Sequence, residues 1–183
     1  MNTLQIFFRF FLSSTLLLQA AALAQPRLVD KTLPELAVTD ATGASTTIES
    51  LKLTKPYVLM VLDTNVANSK SVLDAMKVSG FDGEGAVIIL IKALTNTGGL
   101  PPMDDLEQYR YILPKATWFW GTLPTVMQVM SISASPAFFG VGGQQRIIWR
   151  TIGLPKPSEK FVQQIRYWIT PPDNGSTNLP PAR

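Results

Sequence analysis

Two short runs made only of apolar and aromatic residues constrain this chain more than anything else in it: YVLMVL at 57–62 and AVIILI at 86–91. A strand with one wet face alternates apolar and polar residues. An unbroken run this short, rich in β-branched and large aliphatic side chains, marks a strand covered on both faces. Between the runs, Val72, Leu73 and Met76 fall at helical spacing and Ser79-Gly80 ends the pattern. Strand, helix, strand predicts a parallel pair at the centre of a sheet, joined by a crossover through a helix at 66–78. The chain is therefore an α/β protein.

The second half predicts how that sheet is completed. Leu123 to Ile132 (LPTVMQVMSI) reads as a helix with Pro124 in its first turn, where a missing N–H does no harm. It runs into Ser135-Pro136 and a strand from Ala137 to Val141. A turn at Gly142-Gly143 and a strand from Arg146 to Ile152 complete a hairpin, because glycine reaches positive φ at little steric cost. After Pro157, the residues Phe161, Val162, Ile165 and Trp168-Ile169 keep helical spacing and predict a closing helix. Near the start, Leu36 and Val38 face Thr46 to Ile48 across Asp40-Ala41-Thr42-Gly43, a small β-hairpin with its turn at Gly43.

This order of elements resembles the thioredoxin superfamily, in particular the periplasmic thioredoxin-like proteins of the TlpA and peroxiredoxin-like type. The residues that carry the resemblance are Leu33-Pro34-Glu35-Leu36, Thr39-Asp40, Gly43, Ile48 to Leu51 and Lys55-Pro56-Tyr57-Val58, with Pro136, Gly143 and Gly153. It implies a thioredoxin-like three-layer fold over residues 33–170, with a central mixed sheet and an N-terminal β-hairpin. It also implies that Pro136 is a cis-proline at the lip of a binding groove. The plainer reading of Pro136 is a strand start, which tolerates a residue without an N–H.

The resemblance stops at the chemistry. In the redox members the strand like 57–62 ends in a CxxC at the mouth of the next helix. Here DTNVANSK occupies 63–70, and the chain contains no cysteine. The two cysteine positions fall on Ala67 and Lys70 or on Val66 and Ser69. Thiol–disulfide exchange needs a thiolate, so that activity is excluded. There is no histidine either, which removes Ser-His-Asp catalysis and ordinary zinc sites. No cofactor and no metal site is expected. Asp82 and Glu84 sit in a Gly-rich loop that lacks the ligand series of a calcium site. Ser69 with Lys70 could be drawn as a nucleophile with an activating amine, and Asp63 lies nearby; the plainer reading is a solvated first helical turn. Asp63, Asn65 and Asn68 are candidate helix N-caps.

Two binding surfaces remain. The first is the groove formed by Val66, Ala67, Asn68, Ser69 and Lys70 on one side and Ser135-Pro136 on the other, where relatives hold an extended peptide. The second is Trp118-Phe119-Trp120, whose alternating aromatics suit a strand with both faces covered, packed at a sheet edge. Alternatively they form an exposed contact patch for a partner protein or a small apolar ligand.

Residues 1–24 predict a secretory signal: Arg9, an apolar stretch at 10–18 and the A-x-A site Ala22-Leu23-Ala24. Cleavage after Ala24 leaves 159 of the 183 residues, with 15 basic against 13 acidic side chains once Arg9 is lost. That is one domain with a sizeable core, in the periplasm, with no stable membrane span. Residues 25–32 read as an exposed lead-in and 171–183 (PPDNGSTNLPPAR) as a disordered tail. The basic residues are scattered and show no stripe for nucleic acid. The expected partners are other envelope proteins. A looser similarity to the TrbC-type pilin-assembly proteins of conjugative type IV secretion implies a secretion or conjugation apparatus. The expectation is a redox-inactive binding component; the alternatives are a cysteine-independent enzyme or an apolar-ligand carrier.

Overall fold

In the computed structural model, which describes residues 28–63, 65–92 and 109–170, seven strands form one sheet. In chain order they are β1 (Ala37–Thr39), β2 (Ser45–Thr47), β3 (Tyr57–Asp63), β4 (Ala86–Lys92), β5 (Thr117–Thr122), β6 (Ala137–Val141) and β7 (Ile147–Ile152). Three helices accompany them among the described residues: α1 (Ala67–Val78), α2 (Leu123–Val129) and α3 (Ser158–Ile169), besides a 3-10 turn at Ile48–Leu51. The strand order is β2-β1-β5-β4-β3-β6-β7. β3, β4 and β5 are parallel, and the other pairings are antiparallel, so the sheet is mixed as expected.

The unbroken apolar runs have the cause expected of them. Along β3, Val58, Met60 and Leu62 enter one core with Val72, Leu73 and Met76 of α1 and Phe161, Val162 and Ile165 of α3. Tyr57, Leu59 and Val61 enter a second core on the opposite face, with Ile48 and with Val126 of α2. β4 divides in the same way, with Ile88 and Leu90 on the first face and Val87, Ile89 and Ile91 on the second. Each face buries its share of apolar area, and truncating one such Ile or Leu to Ala costs about 2–5 kcal/mol.

Three expectations are corrected. Trp118, Phe119 and Trp120 do not lie on an edge strand and offer no exposed patch: β5 runs between β1 and β4, and the three rings are 4%, 3% and 0% exposed. Trp118 and Trp120 fill the α1–α3 core and Phe119 the other. Pleat alternation divides the rings between the two faces, and the covering of both faces was expected of this run. A partner or an apolar ligand could reach them only by opening the core.

The hairpin turn after β6 is not carried by positive φ at Gly142 or Gly143. Left-handed conformations fall on Gln144 and Gln145, both at φ 57°, inside a 3-10 turn at Gly143–Gln145. Gln145 is held there because its carbonyl accepts from Leu33 N (2.7 Å) and its side-chain oxygen accepts from the Tyr57 hydroxyl. Gly140, one residue before the end of β6, is needed for space instead. The Trp149 ring crosses its face, and a Cβ there would stand 2.0 Å from Nε1.

The N-cap expectation also fails. The residue preceding α1 is Val66, with no side-chain cap, and Asn68 is exposed inside the first turn. Asp63 Oδ1 accepts instead from Asn65 N at 2.9 Å. The predicted signal at 1–24 and the tail at 171–183 lie outside the described residues.

Candidate functional site

The C-terminal end of β3 delivers the chain to α1 beside the entry to β6. Strand pairing places them together: Val61 of β3 lies opposite Ala137 of β6, so Ser135 and Pro136 come up next to Asp63. The Ser135-Pro136 peptide is cis and Pro136 is buried. Ser135 Oγ accepts from Asp63 N at 2.7 Å and reaches Val61 O at 3.3 Å. Ser69 Oγ stands 3.1 Å from the same hydroxyl.

That arrangement separates the two possible registers. Ser69 is 2% exposed and Val66 half-buried, while Ala67, Asn68 and Lys70 are exposed. Of the two residue pairs spaced as CxxC, only the pair Val66 and Ser69 includes a residue that meets the Ser135-Pro136 segment, which is Ser69. Ala67 and Lys70 face solvent because they lie a third of a turn further round the helix. The expected solvated first turn therefore holds for Lys70 and not for Ser69. Of the predicted groove residues, the structure joins Ser69, Ser135 and Pro136, with Val66 at their margin. Ala67, Asn68 and Lys70 stand on the outer side.

Proton accounting limits the chemistry. Ser135 accepts from a backbone N–H and has one proton for Val61 O or Ser69 Oγ; when Val61 O takes it, Ser69 donates to Ser135. No carboxylate or amine is bonded to either hydroxyl among the described residues, and the chain has no histidine to act as base. A hydroxyl whose proton is held by a second hydroxyl is not an activated nucleophile. Among the described residues, no group of three or more metal-ligating side chains exists; Asp82 and Glu84 meet Lys115 instead, at 2.6 and 3.9 Å. Asp82 is held below the usual carboxylate range first by the hydrogen bond from Lys115.

Sequence reasoning missed the part played by Arg150. Its Nη2 donates to Ser131 O at 2.8 Å, at the head of the 131–135 segment that carries Ser133 and Ala134 to the surface before Pro136. Partial burial lowers its pKa from the ordinary arginine value. The available signal was its being the one charged residue in the otherwise uncharged run IIWRTI.

No protein-family model matches the chain, and no curated protein matches it in sequence. Solved structures do match in shape. A thiol:disulfide interchange protein from Bacteroides sp. aligns with 81% of this chain and 95% of its own, at TM-score 0.57 and 11% identity. A thio-disulfide isomerase from Thermus thermophilus covers 75% and 95%, at TM-score 0.51 and 13% identity. The pneumococcal exposed lipoprotein thioredoxin Etrx1 from Streptococcus pneumoniae covers 72% and 98%, at TM-score 0.50 and 10% identity. At such identities the likeness is one of fold.

Proposed function

We propose that this chain, a thioredoxin-like fold without a cysteine, binds an extended polypeptide in the groove between the start of α1 and Ser135-Pro136, as a non-catalytic component of an envelope assembly. The observation that carries the reading is the Asp63–Ser135–Ser69 hydrogen-bonded set. The groove floor is closed by neutral hydroxyls that satisfy one another, so its shape is kept without any thiol. An extended segment could still pair with the exposed backbone at Ser133 and Ala134, since strand addition draws its affinity from main-chain hydrogen bonds.

An extracytoplasmic setting is supported by the signal-like residues 1–24 and by the likeness to an exposed lipoprotein thioredoxin. Among the described residues no helix is long and apolar enough to cross a membrane. Within the envelope, we infer a secretion or conjugation apparatus from the order of apolar strand, small polar loop and helix at 57–78, a loose resemblance to pilin-assembly proteins that no match in sequence accompanies.

Site-directed photo-crosslinking in the native envelope tests the groove. A photoreactive side chain at Ala134, on the lip, is expected to give one discrete adduct whose partner mass spectrometry identifies. The same group at Val78, 85% exposed at the far end of α1, is expected to give none. Equal labelling from both positions, or none from either, would sink the reading.

A further inference from the structure

The segment 131–135 that forms the groove lip is fastened at both ends, by two different devices. Where α2 ends at Val129, the backbone N–H groups of Met130, Ser131 and Ile132 close on the carbonyls of Val126, Gln128 and Met127, which leaves the Ser131 carbonyl to find a partner outside the helix. The Ser131 carbonyl is met from β7, the edge strand beyond β6, by the Arg150 guanidinium at 2.8 Å. Ser131 itself is in the left-handed region at φ 47°, which an L side chain adopts at a cost. At the other end, Ser135 Oγ takes Asp63 N and meets Ser69 Oγ. Between the two fastenings Ile132 is buried at 5% exposure, while Ser133 and Ala134 face solvent.

We propose that Arg150 is a positioning residue of the groove: with the Ser69–Ser135 pair it holds the lip in a preformed shape, so that a bound segment meets a surface already in place. The inference rests on the groove reading above. Its physical content is preorganisation, which reduces the ordering cost of binding. A guanidinium suits the task because it donates from a rigid planar fork and carries its charge under all ordinary conditions.

Hydrogen exchange by mass spectrometry tests the fastening without a partner. Arg150→Met keeps the stem and removes the donor. Exchange across 131–136 is expected to quicken about tenfold, as loss of one charge-assisted hydrogen bond allows, while β3 and β4 keep their protection. Arg150→Lys is expected to restore part of it, and Ser135→Ala to quicken the same peptide from its other end. Unchanged exchange over 131–136 in Arg150→Met overturns the proposal, as does an equal rise throughout the sheet. The crosslink from Ala134 supplies the second reading. Arg150→Met should lower its yield severalfold and Arg150→Lys recover it; a fast-exchanging lip with undiminished yield would remove the positioning role. Failure of the unsubstituted protein to crosslink at all overturns the groove reading, and the exchange data still decide the fastening.

Discussion

At its C-terminal end β3 meets the hydroxyls of Ser69 and Ser135, both neutral and each bonded to the other or to backbone. At its N-terminal end the same strand begins at Tyr57, which is 2% exposed and donates its hydroxyl proton to Gln145. Beside it, both oxygens of Glu49 are enclosed with no hydrogen-bond partner among the described residues. Both ends bury polar atoms against the same sheet, yet only the first is fully satisfied. Short neutral groups can close a hydrogen-bond circle inside a small space. A carboxylate has only acceptors, and needs donors that this corner does not bring to it. The end closed by neutral hydroxyls is thus expected to contribute little pH dependence, and the far end to carry it.

The largest effect expected from that contrast is alkaline. Burial, and secondarily the charge of Glu49, pushes the Tyr57 hydroxyl well above its ordinary value of 10.0. The folded pKa is raised, so the contribution is complete below about pH 10 and is lost as pH rises toward the folded value. Over that window the unfolded chain sheds the proton and the folded one keeps it, at about 1.4 kcal/mol per pH unit. Urea denaturation from pH 9 to 12 should show this slope in the unsubstituted protein and its loss in Tyr57→Phe. Parallel slopes for the two would place the pH sensitivity elsewhere.

Ser135→Ala acts at the other end of the strand. It strands the half-buried Asp63 N–H and frees Ser69, and should lower stability by about 2 kcal/mol with no change in the alkaline slope. A loss below about 0.5 kcal/mol would mean that water replaces the hydroxyl and that the circle is not closed. Glu49→Gln should do the opposite and stabilise by about 1 kcal/mol, because an enclosed amide costs less than an enclosed carboxylate. It should also bring Tyr57 part of the way back toward its ordinary titration, since burial remains. Destabilisation by Glu49→Gln would show that the carboxylate has a partner in solution and would remove the contrast.

Much of this could be read in advance, and the misses have physical causes. The runs 57–62 and 86–91 declared the doubly covered strands because every residue in them is apolar. Pro136 could be placed because the helix and strand around it were legible, and the chain ends its predicted β6 within the observed bounds. Ser69 was misjudged because a serine one position from a lysine looks solvated in sequence, whereas 3.6-residue periodicity turns one inward and the other out. Trp118, Phe119 and Trp120 offered no sign of which strands would flank them, since β1, which pairs with β5 through Thr39 and Trp120, comes from about 80 residues earlier in the chain. The turn at 143–145 followed glycine in expectation and side-chain anchoring in fact. Gln145 takes positive φ because two hydrogen bonds from 33 and 57 hold it, and no local signal reports them.

The smallest expected effect is that of Ser69→Ala, and it separates binding from catalysis. Ser69 is itself buried, and its hydroxyl is paired with that of Ser135. After its removal Ser135 still holds Asp63 N and Val61 O, so no buried donor is stranded, and a methyl replaces a hydroxyl in an apolar setting. The cost should be below about 1 kcal/mol, less than half that of Ser135→Ala. A binding protein should then keep its Ala134 crosslink nearly unchanged. An enzyme that used Ser69 as nucleophile would lose its reaction altogether while melting almost as before. Retained crosslinking with a small melting shift supports the groove. A loss of 2 kcal/mol or more would show that the two serines act as one unit, and the satisfied end of β3 would then depend on Ser69 as much as on Ser135.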